Sequence, residues 1–186
     1  MPSDESVPAW PVRDRFVELR SRWLTVIGEQ LQDHQGNVLE YWRVEKVDSL
    51  IVLPIQGDRL LLPAPSYRPG VGQGTLDFPG GRVPAEQDLD TVAIAILHRE
   101  LGVEVHSITD LKPLNATGWP VNSSFSNQKL YGFVAQIDQT LQQSQLVDQT
   151  YPITPAGVQE LLQKLFCLQC RAVLLEWWLH QSKIFA

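Results

Sequence analysis

The stretch PGGRVPAEQDLDTVAIAILHRELGV, residues 79–103, decides how the chain is read. Two glycines follow a proline, a polar turn follows them, and then a helix is predicted. Asp88 or Asp90 can accept the free N–H groups of its first turn, and Gly102 ends it, because glycine enters the left-handed conformation that closes a helix without penalty. The run Val92–Leu97 is apolar on every helical face, which predicts a helix buried all round.

Upstream, Tyr67–Gly81 is loop-like, with Arg68-Pro69-Gly70, Gly72 and Gly74 ahead of the glycine pair. Ser49–Ile55 is almost unbroken apolar sequence, as in a strand buried on both faces. Gln56-Gly57-Asp58 turns it into Arg59–Leu62, where Pro63 and Pro65 break the ladder. Further back, Trp23–Gln32 and Val38–Val44 read as strands joined at His34–Asn37. Residues 1–12, with three prolines, read as a flexible tail. Downstream, Val103–Leu111 and Leu130–Ile137 are predicted strands, and the Gln-rich stretch Asp138–Gln149 is a link. A final helical element begins at Thr154-Pro155 and carries Leu161, Leu165, Val173, Leu174 and Trp177 at helical spacing. No internal repeat is visible. Hairpins followed by helices predict a mixed α+β sheet domain.

At 186 residues, 44% of them hydrophobic, the chain suits one core. No apolar run approaches the roughly 20 residues of a membrane span. Met1–Trp10 lacks the basic flank and apolar centre of a secretory signal, so a cytoplasmic setting is expected. A net charge of −6 argues against a nucleic-acid or anionic-membrane surface. Cys167 and Cys170 have a CxxC spacing compatible with redox chemistry or half a zinc site. No second Cys/His pair follows and Leu165, Phe166 and Leu168 surround them, so plain core or helix-surface thiols are expected.

The order Gly81 to Gly102-Val103, preceded by Ser66–Gly72 and Leu76-Asp77-Phe78-Pro79-Gly80-Gly81, resembles the Nudix box and its approach in the ADP-ribose pyrophosphatases. The likeness covers residues 22–186. It implies a Nudix fold, a mixed sheet between helices (α/β/α) with an N-terminal hairpin. Residues 13–186 would form one domain, with the hairpin at 22–45, the box loop and helix at 81–103 and a C-terminal helical segment at 154–186. It also implies hydrolysis of a phosphoric anhydride, Mg²⁺ or Mn²⁺ as cofactor, a nucleoside diphosphate sugar as ligand, and a homodimer exchanging N-terminal strands.

The carboxylates that this chemistry needs are thin here. Hard divalent cations want oxygen ligands, best supplied four residues apart on one helix face. Those slots hold Ile96 and Glu100, and the neighbouring acidic slot holds Arg99. The early Glu position is Gln87 and the family's box Arg is Ala95. Losing one of two supporting charges would strand the other at about 3–5 kcal/mol, whereas losing both is cheap. Arg99-Glu100-Leu101 also spells the family's triplet literally, but that register needs an insertion and places Gly102 inside the helix, at about 1 kcal/mol. No Glu lies between Val105 and Gln159 to serve as the loop base that related enzymes supply, and Asn122–Gln128 is neutral.

Glu100 is therefore either a residual metal ligand or a surface acid beside Arg99 and His98. Glu86 and Glu104 are reserve carboxylates. Arg68, Arg82, Gly80 and Gly81 suit phosphate, and Trp119 suits a base, while solvated arginines and a core-closing tryptophan are the plain alternatives. The expected function is nucleotide-like ligand binding with weak or lost metal-dependent hydrolysis. The alternatives are an active ADP-ribose or ADP-sugar pyrophosphatase using Glu100 with Glu86 or Glu104, and a dimerisation platform without a ligand.

Overall fold

A computed structural model describes residues 7–140, 142 and 144–182. Half of the tail expected at 1–12, and the last residues of the C-terminal segment, lie outside the described residues. The chain divides into two compact units, Met1–Val47 with Pro120–Gln128, and Asp48–Trp119 with Lys129–Ala186.

The first unit is an antiparallel sheet of β1 (Val12–Arg20), β2 (Thr25–Gln32) and β3 (Val38–Glu45), in that order. Only β2 and β3 were expected, as the hairpin at 22–45. β1 escapes a burial-based reading because eight of its nine residues are exposed. Cross-strand chemistry on β2 holds it. Glu29 is buried, and its carboxylate accepts hydrogen bonds from Arg15 on β1 at 2.6 and 2.8 Å and from Arg43 on β3 at 2.9 Å. Gly28 makes room for Phe16, whose ring would lie 2.7 Å from any Cβ there and meets Trp42 edge-on at 5.4 Å. In the β2–β3 turn the Asp33 carboxylate accepts the backbone N–H groups of Gln35 and Asn37, both at 2.8 Å, and Gly36 takes φ 87°.

The second unit is built on β4 (Ser49–Gln56). Its inner residues, Leu50–Ile55, are all buried, as the apolar run predicts. β4 pairs in parallel with β11 (Lys129–Ile137) and antiparallel with β5 (Arg59–Pro63) and β8 (Gly80–Arg82). β9 (Ile108–Pro113) and the short β10 (Trp119–Pro120) add to β11, and β12 (Val147–Pro152) adds to β5. A small separate hairpin joins β6 (Ser66–Arg68) to β7 (Gln73–Thr75). The architecture is the expected mixed α+β sheet.

Helix α1 (Leu89–Leu101) begins where Asp88 accepts the N–H of Thr91 and ends on Gly102 at φ 63°. Val92, Ala93, Ile96, Leu97 and Leu101 pack on Leu50, Val52, Leu61, Phe133 and Ala135. The helix is not buried all round. Ala95 is exposed and Ile94 half-buried, because one face meets the sheet and small apolar residues carry little cost in water.

Three further expectations are corrected. The strand expected from Val103 starts only at Ile108, after one tight helical turn at Val105–Ser107. The Gln-rich link ends in β12, an edge strand in which Tyr151 alone is fully buried. The final helical element is two helices, α2 (Pro155–Lys164), capped by Thr154, and α3 (Leu168–Ser182). Arg171 on α3 donates to the carbonyls of Leu162 and Leu165, satisfying the free end of α2 across the break.

Glu29 gives the fold its clearest acid dependence. Hydrogen bonds from Arg43 and then Arg15 hold its carboxyl below the usual range, against burial. Its contribution is therefore present above the ordinary carboxylate pKa and is lost as pH falls through the lowered value. Glu29→Gln should cost about 2–3 kcal/mol at pH 7, less than a fully buried pair because both arginines keep some water contact. The difference from wild type should shrink as pH falls below 4 in denaturant titrations.

Candidate functional site

The segment Leu76–Arg82 runs from the β6–β7 hairpin to the start of the α1 connection. Gly80 and Gly81 pass so close to their neighbours that a side chain would crowd them. A Cβ on Gly80 would lie 3.2 Å from the Leu50 carbonyl, and one on Gly81 would lie 3.2 Å from Ile96 and 3.3 Å from Arg99. The glycine pair therefore serves close packing between β4 and α1.

That packing sets the surroundings of Glu100. One carboxylate oxygen accepts the Gly80 N–H at 3.3 Å, and the other accepts a hydrogen bond from Arg99. Arg99 also donates to the Gly80 carbonyl at 2.9 Å. Ile96, one turn before, is 2% exposed and belongs to the core. Both oxygens of Glu100 thus face N–H donors, and the position one turn away offers carbon. A divalent cation here would have to displace a guanidinium and find its other ligands elsewhere, so the donor set does not fit Mg²⁺ or Mn²⁺.

The reserve carboxylates lie apart from Glu100. Glu104 faces His98 at 3.2 Å, both well exposed. It borders a cavity of about 70 Å³ lined by Gly102, Val103, Ser107 and Ile137, room for a few waters and not for a dinucleotide. Glu86 is exposed in the turn before α1 and takes φ 66°, a strained conformation for a side chain with a Cβ. Among the described residues no group of three metal-ligating side chains includes Glu100, Glu86 or Glu104.

The basic and aromatic candidates are also engaged. Arg68 donates to Asp77 at 2.8 Å, and Thr75 donates to the same oxygen at 2.8 Å. Arg68 remains half-exposed, so its guanidinium can still meet a solvent-borne phosphate. Arg82 is exposed at the end of β8, opposite Ser49. Trp119 is half-buried, its ring 3.3 Å from the position of a Cβ on Gly132 of β11, a site it shares with Leu114 and Val173. That contact packs one edge of the ring against β11. In the neutral segment Asn122–Gln128, Asn127 accepts the N–H of Lys46 at 2.9 Å and Gln128 donates to the Val47 carbonyl at 3.1 Å, so these amides hold the end of β3.

Asp77 was not singled out in the sequence. An aspartate in a loop carries no local signal, yet its free oxygen lies 3.8 Å from the Cys170 sulfur, and the carboxylate and the Cys167 and Cys170 sulfurs all lie within 4.8 Å of one another. The two cysteines expected as plain thiols are thus part of a cluster.

No protein-family model matches the chain, and no curated protein matches it. Among solved structures it is similar to the crystal structure of an ADP compounds hydrolase, with 22% sequence identity and a TM-score of 0.76. The likeness covers 96% of this chain and 98% of that chain. The fold is the Nudix fold. No helix among the described residues is long and apolar enough to cross a membrane.

Rebuilding carboxylates on α1 tests this arrangement. Ile96→Glu with Arg99→Glu should bind Mn²⁺ more tightly than the wild type, seen by calorimetric titration. The variant should melt at a lower temperature, since an unpaired charge replaces a buried side chain.

Proposed function

We propose that this Nudix-fold chain binds a nucleotide-like ligand of the nucleoside diphosphate sugar class, with weak or lost metal-dependent hydrolysis. The carrying observation is Glu100, held by Arg99 and Gly80 with buried Ile96 one turn away. Anhydride hydrolysis needs metal ions to neutralise the phosphates and to activate water, and this corner offers one carboxylate already neutralised. The ligand class rests on the likeness to an ADP compounds hydrolase over almost the full length of both chains. That coverage also supports residues 13–186 acting as one functional domain.

In this reading Arg68 and Arg82 meet the phosphates where the close-packed backbone of Gly80 and Gly81 leaves room for them, and Trp119 offers a ring edge to the base. Calorimetry with ADP-ribose and related nucleoside diphosphate sugars should detect binding, while product assays with Mg²⁺ or Mn²⁺ should detect little or no turnover. Efficient turnover lost on Glu100→Gln would overturn the reading in favour of an active pyrophosphatase. Arg68→Ala should weaken binding several-fold and change stability by less than about 1 kcal/mol, as expected for a half-exposed ion pair.

The N-terminal sheet supports a homodimer. Phe16, Leu19, Trp23, Val38, Leu39 and Trp42 are all exposed on it, more apolar surface than a small sheet leaves to water. We propose a dimer built through residues 22–45 and their neighbour β1. Light scattering should give twice the chain mass, and Trp42→Glu should shift it toward the monomer; a wild-type monomer at all concentrations sinks the proposal.

A further inference from the structure

The break between α2 and α3 brings two sulfurs and a carboxylate together. Cys167 stands at the N-cap of α3, since its carbonyl accepts the N–H of Arg171 at 3.1 Å. It is half-buried, and on either side of it Phe166 and Leu168 are 59% and 75% exposed. Cys170, in the first turn, is 2% exposed. Its thiol lies against Asp77, whose other oxygen is fixed by Arg68 and Thr75. The sequence thus sets a reachable thiol at a helix N-terminus, a buried thiol one turn on, and an oriented carboxylate behind the buried one.

We propose that Cys167 and Cys170 form a dithiol–disulfide couple that exchanges electrons with the disulfides of thiol compounds. Cys167 attacks and Cys170 resolves, with Asp77 taking the proton of Cys170. In the first step the Cys167 thiolate attacks one sulfur of the incoming disulfide. A mixed disulfide forms and one thiolate leaves. In the second step Cys170 gives its proton to Asp77, and its thiolate attacks the Cys167 sulfur and releases the second thiolate. Cys167 has given its proton to solvent beforehand and Asp77 then returns the proton of Cys170 to water, so the dithiol loses two electrons and two protons in all, and the two released thiolates take up protons from solvent as thiols.

The electrostatics of the pair agree with these roles. A hydrogen bond from Cys170, assisted by the backbone N–H groups of Cys170 and Gln169, brings the Cys167 thiol down to about 6 against burial and the Asp77 charge. The hydrogen bond to Cys167, together with burial, pushes the Cys170 thiol up. A low first thiol gives an attacking thiolate at neutral pH, and a high second thiol needs a local base. A structural zinc site is the less favoured occupant. Such sites close with four ligands, and the cluster has three, one of them shared with a guanidinium.

The test needs no variant at first. Metal-free protein is equilibrated without oxygen in mixtures of reduced and oxidised glutathione, acid-quenched, alkylated and weighed intact. Both alkylation sites should disappear together across one reversible transition. Iodoacetamide should modify wild-type Cys167 with a rate half-maximal near pH 6. Cys170→Ala should accumulate a glutathione mixed disulfide on Cys167, and Cys167→Ala should form one on Cys170 about tenfold more slowly. Asp77→Asn should slow resolution by a similar factor, with far-ultraviolet dichroism confirming that each variant folds. Three results overturn the proposal: thiols that stay alkylatable at every glutathione ratio, Cys167 reactivity rising only near the ordinary thiol value of about 8.5, or one Zn²⁺ per chain retained through purification and lost in Cys167→Ala.

Discussion

Gly80 and Gly81 pass through a gap in which an added Cβ would meet its neighbours at 3.2–3.3 Å. On one side lies the Leu50 carbonyl of β4 and on the other lie Ile96 and Arg99 of α1. Because the two walls are this close, β8 can pair with β4, α1 can lay Val92, Ile96 and Leu97 on the sheet, and the Gly80 amide can reach Glu100. The same closeness fixes what position 96 can be. A side chain that fills the space beside Gly81 and the sheet has no water to solvate a charge, so a carboxylate there needs a partner, and Arg99, which also lies beside Gly81, is already bonded to Glu100 and to the Gly80 carbonyl.

The charges around α1 are paired locally. Arg99 neutralises Glu100, His98 faces Glu104, and Arg68 meets Asp77. No buried side-chain nitrogen or oxygen among the described residues lacks a hydrogen-bond partner. A buried polar group without a partner costs about 1–3 kcal/mol, so donors and acceptors here are paired together. The chain has the Nudix fold, and within it Glu100 is held in an ion pair with Arg99. The N-terminal sheet follows the same rule on a larger scale, since three strands share Glu29 as the acceptor for Arg15 and Arg43.

Much of the fold was legible in short stretches. Leu50–Ile55 reads as a buried strand because no polar residue interrupts it, and β4 is such a strand. Asp88 and Gly102 mark the ends of α1, and Thr154-Pro155 the start of α2, because caps act within one turn of chain. β1 and β12 were missed because their stability comes from pairing with a neighbour and not from their own apolar pattern. The break before α3 was missed because apolar residues continue through Leu165 and Phe166, and only the docking of Arg171 on the end of α2 reveals it.

The site was legible as residue types and not as contacts. The scarcity of carboxylates around Glu100, and the apolar residue at 96, stand in the sequence by themselves, since helical spacing alone puts those positions side by side. Tertiary structure alone decided who their partners are. Asp77 meets Cys170 across 93 positions of chain, and Trp119 reaches Gly132 on another strand. Local sequence fixes dihedral preferences and faces, whose range is a turn or two. Pairings over such separations arise only when the core closes and excludes water, and the chemistry of Cys167, Cys170 and Asp77 exists only there.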